Sequence, residues 1–178
     1  GIGAMSILLA LNGFNVITGE PEEEPERVEW DHYEHQHEGI HEDSFKGYWT
    51  DWKESAKAIG VEEKIKYQYF NAENLPFSAE SFDGIFMFDT LQHIPNRELA
   101  LNECIRVLKP DGKLCVIEWS EKSIKEEKEK YGYKIDFIDP TKYIKLDDIS
   151  IEVLKGEYVN IYLIRKKKYM NISYYKSQ

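Results

Sequence analysis

With 178 residues the chain has room for one domain with its own core and little for a second. Apolar residues make up 42% and charged residues 31%, which excludes disorder throughout, and no apolar run nears the roughly 18 residues of a membrane helix. The net charge of −10 is concentrated in residues 20–45, which hold eleven Asp/Glu against one Arg; the other residues carry 22 acidic and 22 basic groups, a balance that argues against nucleic acid as the main partner.

In chain order, Ala4 to Asn12 is helical by composition, with Gly13 as its stop. Residues 14–18 (FNVIT) read as a short buried strand ending at Gly19-Glu20. Residues 21–43 are acidic, lack apolar periodicity and form an insertion. Helical character resumes near Tyr48 and closes at Gly60, and residues 64–70 alternate as a strand ahead of the loop NAENLPFSAES. The nearly continuous apolar run Phe82 to Phe88 predicts a parallel strand buried on both faces. Asn96 is the expected N-cap of a helix whose Leu101, Ile105 and Leu108 form one apolar stripe. LKPDGK reads as a turn, because Pro110 stops the helix and Asp-Gly permits positive φ, and Lys113 to Trp119 as a further buried strand.

A charged helix covers about residues 121–131. Two last strands, Ile149–Leu154 and Tyr158–Arg165, are separated only by Lys155-Gly156-Glu157, a connection that demands an antiparallel hairpin. Arg165 to Lys168 reads as a solvated strand end rather than a docking patch. The sum is βαβ units followed by a hairpin, an α/β three-layer sandwich. A glycine-rich loop normally follows a strand, so a first strand is expected ahead of Gly1, missing from this chain. No secretory signal is expected, since the opening lacks a basic region. Cys104 and Cys115 sit in apolar runs and form no disulfide framework, which fits a reducing cytoplasm.

Gly1-Ile2-Gly3 ahead of a helix can bring backbone close to a ligand at a positive dipole end; the alternative is a frayed terminus. Glu20, seventeen residues beyond Gly3 and at a strand end, can hold ribose hydroxyls with two acceptor oxygens, or it is a solvated loop acid beside Glu22, Glu23 and Glu24.

Residues 71–119 contain an Ala-Glu-x-Leu-Pro-Phe loop, then Ser-Phe-Asp, Leu-x-His and Leu-Lys-Pro-x-Gly before a strand. In this order and spacing they resemble the class I S-adenosylmethionine-dependent methyltransferases, in the small-molecule branch that includes ubiquinone- and menaquinone-biosynthesis C-methyltransferases (methyltransferase type 11). The resemblance reaches back to Gly1 and on to the last hairpin, leaving out about residues 21–43. It implies a Rossmann-like, mostly parallel sheet with an antiparallel end, a methyltransferase domain over residues 1–168 and a tail over residues 169–178.

By that likeness S-adenosylmethionine lies across the strand ends. Gly1, Ile2 and Gly3 would pack beneath its methionine and ribose, and Glu20 would take the ribose hydroxyls. Asn71, Ala72 and Glu73 would meet the adenine side, and the backbone of Phe88 the methionine end. Asn71 stands where the family more often has Asp, which leaves one acceptor oxygen and a donor for the adenine.

Methyl transfer needs donor and acceptor close, aligned and dry, and a base only if the acceptor must lose a proton. Asp89 and His93 are the candidate catalytic residues: His93 as a base or a positional residue, Asp89 facing the sulfonium or capping a helix start. His32, His35, His37 and His41 lie among acids but match no standard metal spacing, and a lid over the acceptor is the expected role of that segment. Tyr48, Trp49 and Trp52 line the pocket or pack a helix. The expected reaction transfers methyl to a small molecule, neutral or cationic given the acidic entrance, with no nucleic acid or membrane partner. The rivals are a fold of this kind that binds the cofactor or a partner without transfer, and a nicotinamide dehydrogenase.

Overall fold

In the computed structural model, which describes residues 3–21, 52–132 and 135–167, the chain divides into two units, Gly1–Asn71 and Ala72–Gln178. The first unit holds α1 (Ala4–Leu11), β1 (Val16–Thr18), α2 (Trp52–Ala58) and β2 (Ile65–Tyr67). Helix α1 stops as expected: Gly13 takes φ 91, and the N–H groups of Gly13 and Phe14 reach back to the carbonyls of Ala10 and Leu9 at 3.0 and 3.1 Å. Gly60, at φ 72, closes α2 in the same way, with Val61 N–H donating to Ala56 O at 2.9 Å. Strands β1 and β2 pair in parallel, Val16 opposite Ile65 and Thr18 opposite Tyr67. Ala10, Ala56 and Val61 form a buried cluster, with Ile7, Val16, Trp52 and Ile65 packed against it. Both strands are shorter than the apolar runs suggested.

The second unit holds β3 (Phe82–Phe88), α3 (Arg97–Val107), β4 (Leu108–Trp119), α4 (Glu121–Tyr131), β5 (Ile149–Lys155) and β6 (Val159–Lys166). Its sheet runs β3-β4-β6-β5. The predicted hairpin is present, antiparallel, with Lys155 opposite Asn160. Its second strand lies against β4, also antiparallel, so two of the four described pairings are parallel and two are not. The expectation of a mostly parallel sheet is corrected accordingly among the described residues. Leu91, Leu101, Leu108, Leu114, Val116 and Ile164 are fully buried and form the core of this unit. The N-cap is as expected: Asn96 Oδ1 accepts the Leu99 N–H at 3.0 Å. Ser120 caps α4, accepting the Ser123 N–H at 3.1 Å while its hydroxyl donates to Glu157 O at 2.6 Å.

Two expectations fail here. LKPDGK is no turn: β4 starts at Leu108, which pairs with Phe82, and pairing resumes at Lys113 opposite Gly84, so the residues between them bulge out of the strand. Gly112 does not take positive φ; a Cβ there would stand 2.7 Å from Leu108 Cδ1, so glycine serves the close approach of the bulge to that side chain. Strand β3 is not buried on both faces either. Only Met87 is buried, while Phe86 and Phe88, which share the opposite face of the strand, are 41% and 49% exposed.

Candidate functional site

Parallel pairing in the first unit continues past its two strands. Gln68 N–H donates to Thr18 O at 3.0 Å and Phe70 N–H to Glu20 O at 2.9 Å, so the backbone of Glu20 lies beside Phe70, one residue before Asn71. Gly19 makes this possible: a Cβ there would fall 1.7 Å from Gln68 O. Two exposed polar side chains, a carboxylate and an amide, therefore stand at the carboxyl ends of adjacent parallel strands. Gly3 heads α1 in the left-handed conformation (φ 73), and a Cβ on it would meet the Trp52 ring at 2.6 Å. Trp52 thus packs on the glycine turn, and its ring lies 6.3 Å from that of Tyr67, with the Lys53 ammonium over both. Gly1 and Ile2, together with His32, His35, His37, His41, Tyr48 and Trp49, lie outside the described residues, as do most of the acidic segment and the tail.

In the second unit the motif residues meet through α3. Glu73 Oε1 accepts the Asn96 N–H at 2.8 Å, so this carboxylate ties the loop to the start of α3. Glu103 accepts the Leu75 N–H at 3.0 Å, and the Arg106 guanidinium donates to Leu75 O, Phe77 O and both oxygens of Glu103. The Arg106 hydrogen bond, followed by the Leu75 amide, holds the Glu103 carboxyl below its ordinary range against desolvation. Ala72, half-buried, sits at the head of this pinned loop.

At the carboxyl end of β3, Phe88 is 49% exposed and Asp89 adopts a left-handed backbone, φ 50. A 3-10 turn, Leu91–His93, follows and leaves His93 exposed. The Asp89 N–H continues the sheet to Ile117 O at 2.9 Å, and its carboxylate accepts from the Gln92 amide and the Trp119 side chain. Burial raises the Asp89 pKa, opposed by the Trp119 hydrogen bond and the nearby His93. The turn starts from Thr90 with no side-chain cap, so Asp89 is not a helix cap.

Sequence reasoning missed Glu118. It is 3% exposed at the end of β4, one strand over from Asp89, and its Oε1 accepts the Leu91 N–H at 3.1 Å. Burial pushes its pKa up to about 7, the Leu91 amide opposes this, and the Asp89 charge adds to it. The signal was present as the lone acid in the apolar run LCVIEW.

Residues 47–116 match the family described as methyltransferase domain, type 11. The ubiquinone/menaquinone biosynthesis C-methyltransferase UbiE of Rhizobium meliloti (strain 1021) is 43% identical over 68 residues, 38% of this chain and 26% of that protein. The chain thus spans about a quarter of the length of this relative. Among solved structures, the PH0226 protein from Pyrococcus horikoshii OT3 superposes with a TM-score of 0.60 at 19% identity, over 94% of this chain and 78% of that one. The (4+2)-cyclase SpnF gives a TM-score of 0.61 at 14% identity, over 94% of this chain and 72% of that one. At these identities the two structures establish a shared fold and nothing of the reaction. Residues 47–116, which include the pinned loop, β3 and α3, are thus where this chain is similar to the type 11 methyltransferase domain family.

Proposed function

We propose that the chain is an S-adenosylmethionine-dependent methyltransferase acting on a small molecule, built as a three-layer Rossmann-like domain over residues 1–168. The observation that supports this reading is the Phe70-to-Glu20 backbone bond, which sets the backbone of Glu20 beside Phe70, one residue before Asn71, at the carboxyl ends of parallel strands. A carboxylate suits two ribose hydroxyls, and an amide suits the donor and acceptor edge of adenine. Gly1, Ile2 and Gly3 are assigned to the methionine and ribose end from the sequence alone, the close approach at Gly3 itself being made by the Trp52 ring. Ala72 and the backbone of Phe88 are assigned to the adenine and methionine ends. Glu73, whose carboxylate is engaged with Asn96, contributes by holding the loop.

The sulfonium group of the cofactor supplies an already activated methyl carbon for in-line displacement. The task left to this chain is alignment and exclusion of water. Asp89 can face positive charge from the end of β3, and exposed His93 can accept a proton from an acceptor hydroxyl, amine or carbon acid. The name of the UbiE relative makes carbon acceptors the first class to screen. The acidic stretch 20–45 favours a neutral or cationic acceptor over an anionic one. Cys104 and Cys115 are both buried free thiols, Cys104 pushed up to about 12 by burial, which is compatible with a reducing cytoplasm. Among the described residues no helix is long and apolar enough to cross a membrane.

Isothermal titration with S-adenosylmethionine, followed by an acceptor screen, tests the reading. Binding is expected, and Glu20→Ala should weaken it by about tenfold, since charge-assisted bonds to the ribose are lost. Equal affinity for NAD, or none for S-adenosylmethionine, would sink the assignment. Binding without turnover across the screen would favour a cofactor-binding domain that does not transfer.

A further inference from the structure

Glu118 is a buried acid that methyl transfer as described above does not touch. Its Oε1 accepts the Leu91 N–H at 3.1 Å, and the Thr90 N–H donates to the same carboxylate. These two amides open the short turn that begins beyond Asp89 and ends at His93. No side chain caps the turn from within; the Thr90 hydroxyl donates back to Phe88 O instead. On its other side, Leu91 O accepts from Arg97 Nε at 2.8 Å. The peptide between Asp89 and His93 is therefore gripped from β4 by a carboxylate and from α3 by a guanidinium.

We propose that Glu118 is the positioning residue of this site: it fixes the turn that carries Asp89 and His93, and methyl transfer depends on that hold. The inference rests on the methyltransferase reading and adds to it a residue that touches neither substrate nor cofactor. Burying a carboxylate costs several kcal/mol unless charge-assisted bonds offset it, and the two amides of the turn are what it gains. A polar but uncharged side chain would cap the same amides at lower cost, so the charge itself needs a use.

The groups facing Glu118 are Asp89 from the end of β3, Arg97 from α3 and Tyr162 from β6. Asp89 discourages its ionisation and Arg97 favours it, while burial dominates both. The carboxyl thus changes charge near pH 7, and its grip on the Thr90 and Leu91 amides is stronger on the alkaline side.

The test follows backbone amide resonances of Thr90, Leu91 and His93 across pH in the whole chain, alongside kcat and KM. In the parent protein Thr90 and Leu91 should shift with a midpoint near pH 7, Asp89→Asn should move that midpoint to lower pH without removing it, and Glu118→Gln should abolish it. Glu118→Gln should also lower kcat by about tenfold with KM for S-adenosylmethionine within about twofold, and flatten the acidic limb of the kcat profile. The same midpoint surviving in Glu118→Gln, or kcat untouched by it, would overturn the proposal. Should the variant not fold, a parent titration without a midpoint at Thr90 and Leu91 would overturn it alone. Failure of the parent to bind S-adenosylmethionine would instead sink the methyltransferase reading, while the amide titration still decides whether Glu118 holds the turn.

Discussion

At the scale of the residue, Glu118 gives a sign for the pH dependence of stability. Its ordinary pKa is 4.5 and burial pushes it up to about 7 in the fold. Between those values the native state keeps a proton that the unfolded chain has already released. Its stabilising contribution is therefore complete below pH 4.5 and lost as pH rises through about 7. The difference amounts to about 3 kcal/mol, an order-of-magnitude figure for a group with so little solvent contact. Glutamine is neutral at every pH, so Glu118→Gln should be stabilised relative to the parent protein at pH 8 far more than at pH 5. Urea denaturation at the two pH values measures this, and an equal change at both would show that Glu118 is not the titrating group. The same residue shows why part of the site was hidden in the sequence. Glu20, Asn71, Asp89 and His93 follow strand-like runs, a position that spacing reveals. Glu118 acts through the neighbouring strand, and only the β3–β4 register brings it to Leu91.

At the scale of the element, the loop Ala72–Phe77 has little regular structure of its own and is held by α3. Arg106 makes bonds to two of its carbonyls and to Glu103, which in turn holds Leu75 N–H. Arg106→Ala removes these together and leaves Glu103 without its cation, so a loss of about 2 kcal/mol is expected. Lysine has no planar fork to span Leu75 O, Phe77 O and Glu103, so Arg106→Lys should recover less than half of that loss. Equilibrium unfolding of both variants checks this, and full rescue by lysine would show that charge alone holds the loop. Local chemistry was legible where it was sufficient: Gly13 and Gly60 as helix stops, Asn96 as a cap, the three-residue link as a hairpin. It misled where a distant contact decided the outcome. Pro110-Asp111-Gly112 has the composition of a turn, yet Leu108 already pairs with Phe82, so the residues form a bulge within β4. Phe86 and Phe88 carry a buried strand's side chains but lie on an exposed face of β3, and an apolar run does not say what packs on each face.

At the scale of the whole molecule, a cofactor bound as proposed would act as a ligand of the folded state. If Glu20, Asn71 and the backbone of Gly3 recognise the adenosine and methionine parts, binding requires the folded chain and has no counterpart in the unfolded one. At a free concentration of one hundred times Kd such a ligand adds about 2.7 kcal/mol. For a chain of this length that corresponds to a rise in Tm of about 5–10 °C. S-adenosylhomocysteine keeps every group assigned to those residues and lacks the transferred methyl and the sulfonium charge it carried, so at equal saturation it should raise Tm as S-adenosylmethionine does. NAD keeps the adenosine but replaces the amino acid by a pyrophosphate and a second nucleoside, and should raise it little at the same concentration. Glu20→Ala should cut the response to both sulfur ligands to about half at the same concentrations, while leaving the unliganded Tm within about 2 °C, because its side chain is exposed. A thermal series over ligand concentration separates these outcomes. A rise for NAD matching that for S-adenosylmethionine would mean that recognition stops at the adenosine and that the homocysteine end has no site on this chain.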